Sequence, residues 1–159
     1  MARLYLMEQF ELRQVKKRYL ALVEGVPATL TGEIDAPIGR DASERKRMAV
    51  VRGGREAVTT YHVLHAYESE SVEGFSLLEA FPKTGRTHQI RVHMAFIGHP
   101  IVGDYVYGRR KVRLGMHRHF LHAESLTLTT PSGKLLTVQA PLPVALQIVL
   151  DRLEQASQS

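Results

Sequence analysis

The sequence predicts an α+β fold: a mixed, mostly antiparallel sheet with a few packed helices. Three observations carry this. Short apolar runs rich in β-branched and aromatic residues recur between turn signals. Only three stretches show a helical apolar stripe. Strands and helices do not alternate in the regular order that a doubly wound parallel sheet requires. At 159 residues and 17.9 kDa the chain fits a single domain over 1–159, without room for two independent cores.

Residues 3–16 carry Leu4, Leu6, Met7, Phe10 and Val15 among charges, a rough helical pattern. Arg18 to Glu24 reads as a strand whose two faces are both apolar, so both are expected to be covered. Thr29 to Ile34 forms a second short strand, and Ala36–Pro37–Ile38–Gly39 a turn. Met48 to Arg52, Ala57 to Tyr67 and Phe75 to Phe81 follow as strands, with Gly53–Gly54 as a turn. Thr87 is the expected N-cap of a helix over His88 to Ile97, with Gly98 just past its end. Ile90, Met94 and Ile97 make its apolar stripe. His119 to Thr129 and Leu135 to Gln139 form a hairpin around Pro131–Ser132–Gly133. Pro143 opens a closing helix that turns Leu146, Val149, Leu150 and Leu153 to one side.

Composition excludes several function classes. Cysteine is absent, so disulfides, thiolate metal sites and cysteine nucleophiles are absent with it. No run of eighteen apolar residues is available to cross a membrane, and the charged start does not resemble a secretory signal. A cytoplasmic location is the expectation. The eight histidines give no recognisable ligand spacing, so no metal site is expected.

Charge is more specific. Net charge is +5, and the excess is local: Arg40, Arg45, Lys46, Arg47, Arg52 and Arg55 stand against Asp41 and Glu44. A second cluster, Arg109, Arg110, Lys111, Arg113 and Arg118, is interleaved with Tyr105, Tyr107, His117 and His119. Clustered cations beside stacking side chains are the footprint of a nucleic-acid surface, though a merely solvated basic surface would read the same way.

The densest segment for chemistry is Thr84–Gly85–Arg86–Thr87–His88–Gln89–Ile90–Arg91–Val92–His93. Arg91 lies beside the apolar stripe of its helix, where a guanidinium is costly without a carboxylate or phosphate. Nothing nearby in sequence supplies one. Either its partner comes from elsewhere in the fold or from a ligand, or the side chain snorkels to solvent.

These segments, taken together, resemble the RluA family of RNA pseudouridine synthases. The resemblance rests on Lys17–Arg18–Tyr19–Leu20–Ala21–Leu22–Val23–Glu24–Gly25, on Ala36–Pro37–Ile38–Gly39–Arg40, and on Ala57–Val58–Thr59–Thr60–Tyr61. It continues through the Thr84–Met94 segment, Gly98–His99–Pro100–Ile101–Val102–Gly103–Asp104, Leu121–His122–Ala123–Glu124 and Ala140–Pro141–Leu142–Pro143, in the family's order.

The resemblance implies an isomerase that needs no metal or organic cofactor and acts on ribosomal or transfer RNA. An aspartate attacks the target uridine; the base leaves through N1, rotates and rejoins the ribose through C5. Tyr19 matches the tyrosine that stacks on the target base, and Arg91 the arginine that pairs with the catalytic aspartate. Arg86, Thr87 and His88 resemble the loop-to-helix entry near the pocket, where RNA phosphate contacts are expected, as they are for Arg40, Arg45, Lys46 and Arg47. Leu126 is a candidate for the uracil pocket, or an ordinary core leucine. The family's His-Arg-Leu-Asp nucleophile segment has no counterpart here, and none of the four aspartates matches it. The expectation is a partial, N-terminally truncated catalytic domain, inactive alone and prone to self-association through an exposed sheet edge. The alternative is a non-catalytic RNA-binding module.

Overall fold

The computed structural model describes residues 1–69 and 72–158. Its elements run α1 (Ala2–Glu11), β1 (Lys16–Glu24), β2 (Thr31–Asp35), β3 (Ile38–Arg40), β4 (Met48–Val50), β5 (Val58–Ser69) and β6 (Val72–Pro82). They continue with α2 (Gln89–Phe96), β7 (Leu121–Thr129), β8 (Leu135–Gln139) and α3 (Val144–Ser157). Six strands form one antiparallel sheet in the order β2-β5-β6-β1-β7-β8, and β3 and β4 form a separate ribbon. The α+β class read from the sequence is the class observed.

β1 is central because it is apolar on both faces. Ala21, Leu22 and Val23 are fully buried, and β6 and β7 pair with the strand on either side. Register brings Tyr19 opposite Ala80 on β6 and Ala123 on β7. Between Arg18 and Tyr19 the pairing with β7 shifts: Arg18 faces Ser125 and Tyr19 faces Ala123, so Glu124 is an inserted residue. α3 buries Leu146, Val149, Leu150 and Leu153, the stripe its sequence dictates. Pro143 stands at its N-cap rather than within the first turn.

Two helical expectations change. α1 stops at Glu11 instead of reaching residue 16, and Leu4, Met7 and Phe10 remain exposed. The helix is docked by its buried Gln9, whose amide donates to Thr129 O at 2.7 Å and accepts from Thr129 N at 2.8 Å. A side chain that satisfies a strand's backbone on both counts anchors a helix whose apolar pattern does not. In α2 the cap position belongs to His88, in the left-handed region at φ 56°, and no side chain caps it. Thr87 is displaced from that role because Gln89 reaches back instead and accepts the Arg86 N–H at 3.1 Å. The far end matches expectation. Gly98 at φ 86° lets its own N–H reach Ala95 O (3.0 Å) and the His99 N–H reach Met94 O (2.9 Å), a Schellman closure.

Residues 36–39, expected as a turn, are partly strand. Ile38 begins β3 and packs with Ala57 and Val92, so the ribbon is fastened against α2. This places the basic segment 41–47, which joins β3 to β4, beside that helix. β2 and β8 are the sheet edges, and on β8 Leu135, Leu136 and Val138 are exposed. Among the described residues no helix is long and apolar enough to cross a membrane.

Candidate active site

β1 and the N-terminal end of α2 enclose a cavity of about 550 Å³, closed on a third side by residues 119–121. Alternation along β1 turns Lys17 and Tyr19 to the same face, and both line it. The loop before α2 adds Arg86 and His88, the helix adds Ile90 and Arg91, and the third side adds His119 and Leu121. The sequence candidates Tyr19, Arg86, His88 and Arg91 therefore meet in one concavity. Thr87 is exposed and outside it. Leu126 is also outside. Opposite Lys17 it shares the Tyr19 face of the sheet, but it is half-buried beyond the cavity, and Leu121 supplies the aliphatic wall instead.

Arg91 has a partner within the fold. Its Nε and Nη2 donate to the two oxygens of Asp104 at 2.8 and 2.9 Å, and Asp104 is fully buried. Asp104 Oδ1 also accepts the N–H groups of Val106 and Tyr107, both at 3.1 Å, which closes a turn. Burial opposes ionisation of this carboxyl, but the Arg91 fork and the two backbone donors together hold it below the usual carboxylate range. The same bidentate bond raises the Arg91 guanidinium above its ordinary value, against the effect of burial. Arg91 is thus a fixed, permanent cation. Nη1 lies outside the pair.

Tyr107 completes this wall. Its ring lies 4.9 Å from the Arg91 guanidinium and 5.4 Å from that of Arg47. Its hydroxyl bonds His88 Nδ1 at 2.8 Å and accepts the Met48 N–H at 3.0 Å. One phenol therefore joins the 41–47 segment to the cavity. Within that segment Arg47 also meets Asp41 at 3.4 Å, and Arg40 donates to Arg45 O at 3.3 Å. Arg45 and Lys46 are exposed. Burial and the neighbouring Arg91 lower His88 and His119 from the ordinary imidazole value, which favours the neutral ring at both. The second basic cluster is partly spent on structure: Arg109 bonds Glu73, and Arg113 reaches Glu24 at 3.3 Å.

Two further residues of the dense segment hold the site from behind. Buried Gln89 accepts from Thr84 Oγ1 (2.6 Å) and Arg86 N, and donates to Val58 O (2.9 Å) and Thr59 Oγ1 (3.0 Å). His93, fully buried, meets Thr59 Oγ1 at 2.8 Å and Ala36 O at 2.9 Å. A carbonyl only accepts, so Nε2 carries the proton and Nδ1 receives the Thr59 hydroxyl.

Burial pushes His93 below its ordinary value, which fixes the sign of a pH effect. The unfolded chain takes up that proton at its ordinary pKa of about 6.5 and the folded one resists it. The contribution of His93 is therefore complete above about pH 6.5 and lost as pH falls, by at most ~1.4 kcal/mol per pH unit. Urea unfolding between pH 5 and 8 should show this slope, and His93→Gln should lower it by up to one proton. Equal slopes would mean that His93 titrates normally.

Lys17, Gln89 and Asp104 are the site residues that sequence reasoning did not single out, and Tyr107 figures there only among the aromatics of the second basic cluster. Asp104 and Tyr107 lie in Gly103–Asp104–Tyr105–Val106–Tyr107–Gly108, which reads as a turn and is one. The available signal was an unpaired Arg91 together with an aspartate whose turn needs only one of its two oxygens.

A family model described as RNA pseudouridylate synthase matches residues 1–96. An uncharacterized RNA pseudouridine synthase of Chloroflexus aurantiacus is 51% identical over 150 residues, covering 94% of this chain and 46% of that protein. A ribosomal large subunit pseudouridine synthase D of Nitrosomonas europaea is 43% identical over 164 residues, covering 97% and 45%. The chain spans about half the length of the curated relatives it matches. Among solved structures, human RNA Pseudouridylate Synthase Domain Containing 1 superimposes with a TM-score of 0.75 at 31% identity, covering 96% of this chain and 69% of that one.

Proposed function

The chain belongs to the RNA pseudouridylate synthase family, and from that premise we propose that it forms the uridine-holding wall of an enzyme that isomerises uridine to pseudouridine in ribosomal or transfer RNA. The observation that carries this reading is the meeting of Tyr19 and Arg91 in one basic cavity. Tyr19 is half-buried against the core and offers a ring on which a pyrimidine can stack. Arg91, with Nε and Nη2 fixed by Asp104, keeps Nη1 for an incoming carboxylate. A charge-assisted bond there would hold a nucleophilic aspartate ionised and aimed. No aspartate lines the cavity among the described residues, and Asp104 is already spent on Arg91 and its turn. The nucleophile is therefore assigned to a segment outside this sequence.

The test joins this chain to the upstream half of its Chloroflexus aurantiacus relative and measures pseudouridine formation in a mixed ribosomal and transfer RNA substrate. The joined protein should form pseudouridine, and the chain alone should not. Arg91→Ala in the joined protein should lower the rate roughly a hundredfold or more, as loss of a preorganised charge contact does. Turnover by the chain alone would refute the placement of the nucleophile. A joined protein that binds RNA without turnover would establish a non-catalytic binding module instead.

A further inference from the structure

We infer that Lys17, with Arg55 and Arg86, forms a phosphate seat for the nucleotide held at Tyr19; this rests on the RNA reading above. A second groove of about 470 Å³ adjoins the Tyr19 cavity, and Lys17, Thr84, Gly85 and Arg86 line both. Its remaining walls include Arg13, Arg55 and Lys83, and among the described residues its only carboxylate is Glu11. Five cations thus face one acid.

Two of those cations are already matched. Arg13 forms a two-pronged bond to Glu56 at 2.7 and 3.3 Å, and Lys83 reaches Glu33 at 2.8 Å. The other three form no ion pair among the described residues, although the Glu56 carboxylate that Arg13 binds also acts on Arg86 through space. Lys17 Nζ is half-buried against the Gly85 backbone, and its one partner is Thr84 O at a long 3.4 Å. Arg86 Nε donates to an uncharged carbonyl, Glu56 O, at 2.8 Å. Arg55 is exposed and has no side-chain partner among the described residues. Burial, and then the charges of Arg55 and Arg13, lower the Arg86 guanidinium from its ordinary value, as crowded like charges should. What this group lacks is an anion.

Geometry indicates which anion. Lys17 and Tyr19 are two residues apart on one face of β1, so their Cα atoms are about 7 Å apart. That is the scale on which a base and its own backbone phosphate are separated in a nucleotide. A uracil stacked on Tyr19 would direct its phosphate toward Lys17 and Arg86. The loop that carries Arg86 is itself held by Gln89, so the seat is fixed relative to the cavity before any ligand arrives. Such a contact fixes register and carries no sequence information.

The test uses this chain, a short single-stranded uridine-containing RNA, and fluorescence anisotropy across a range of salt. Wild type should show log K falling linearly with log salt. Lys17→Gln, which gives up one long hydrogen bond and should fold, should reduce the slope by about 0.7, the value for one single-strand phosphate contact. Lys17→Arg should restore it. In parallel, wild type should bind uridine 5′-monophosphate more tightly than uridine, and Lys17→Gln should erase that difference. An unchanged slope and an unchanged monophosphate preference in Lys17→Gln would overturn the seat while leaving RNA binding intact. Wild type with no salt-dependent RNA binding would overturn the RNA reading, and the seat with it.

Discussion

Asp104→Ala is expected to destabilise the protein by about 3–5 kcal/mol, the range seen when one partner of a buried ion pair is removed. The size follows from what is stranded. The Arg91 side chain is only 11% exposed and loses both of its acceptors, while the Val106 and Tyr107 amides lose theirs. A guanidinium cannot shed its proton to escape, so it must be rehydrated by distorting the cavity wall. Arg91→Ala/Asp104→Ala should therefore be less damaging than Asp104→Ala alone, because no charge is left behind. Urea unfolding of wild type, both single variants and the double variant measures this as a cycle. A loss below about 1 kcal/mol for Asp104→Ala would show the pair to be solvent-screened, with Arg91 free to move.

The second large effect is expected at Gln89. Gln89→Leu keeps the volume but leaves the Arg86 N–H and the Thr84 hydroxyl proton without an acceptor, and takes one of two partners from Val58 O and from Thr59 Oγ1. Each buried group left unsatisfied costs about 1–3 kcal/mol, and neighbours are not additive, so about 3 kcal/mol in total is the expectation. The functional consequence is local. Residues 84–86 then keep only the Val58 N–H to Thr84 Oγ1 bond to β5, so the Arg86 amide should exchange with solvent much faster while β1 amides follow only the global stability. Unfolding free energy within 0.5 kcal/mol of wild type, with unchanged Arg86 exchange, would contradict this.

The parts of the fold legible in the sequence were those written in a single period. β1, with Ala21, Leu22 and Val23, and α3, with Leu146, Val149, Leu150 and Leu153, needed only alternation or a helical stripe. α1 misled because its apolar residues suggested a packed helix, whereas Gln9 docks it through two backbone bonds that no periodicity encodes. The same holds at the site. Tyr19 and Arg91 stand in motifs that can be matched by eye. Asp104 and Tyr107 act through contacts made across 13 and 16 residues of chain, and both lie in a stretch that local rules mark only as a turn. Leu126 was a candidate only through the family resemblance. It is on the correct side of the sheet, yet register carries it past the cavity.

The Tyr107 contact has a thermodynamic consequence. Its ring and hydroxyl touch the cavity through Arg91 and His88, and touch the basic segment through Arg47 and the start of β4 through the Met48 N–H. If both surfaces bind, as proposed, a side chain shared between them is the place where their affinities would be coupled. Any ligand that tightens Arg47 on one side of the phenol changes the affinity on the other side by some factor, and linkage requires that factor to be the same in the reverse direction. On the proposed RNA reading, grip on the strand and grip on the base would be a single reciprocal quantity, and a base that fits poorly in the cavity would weaken the hold on the chain that carries it.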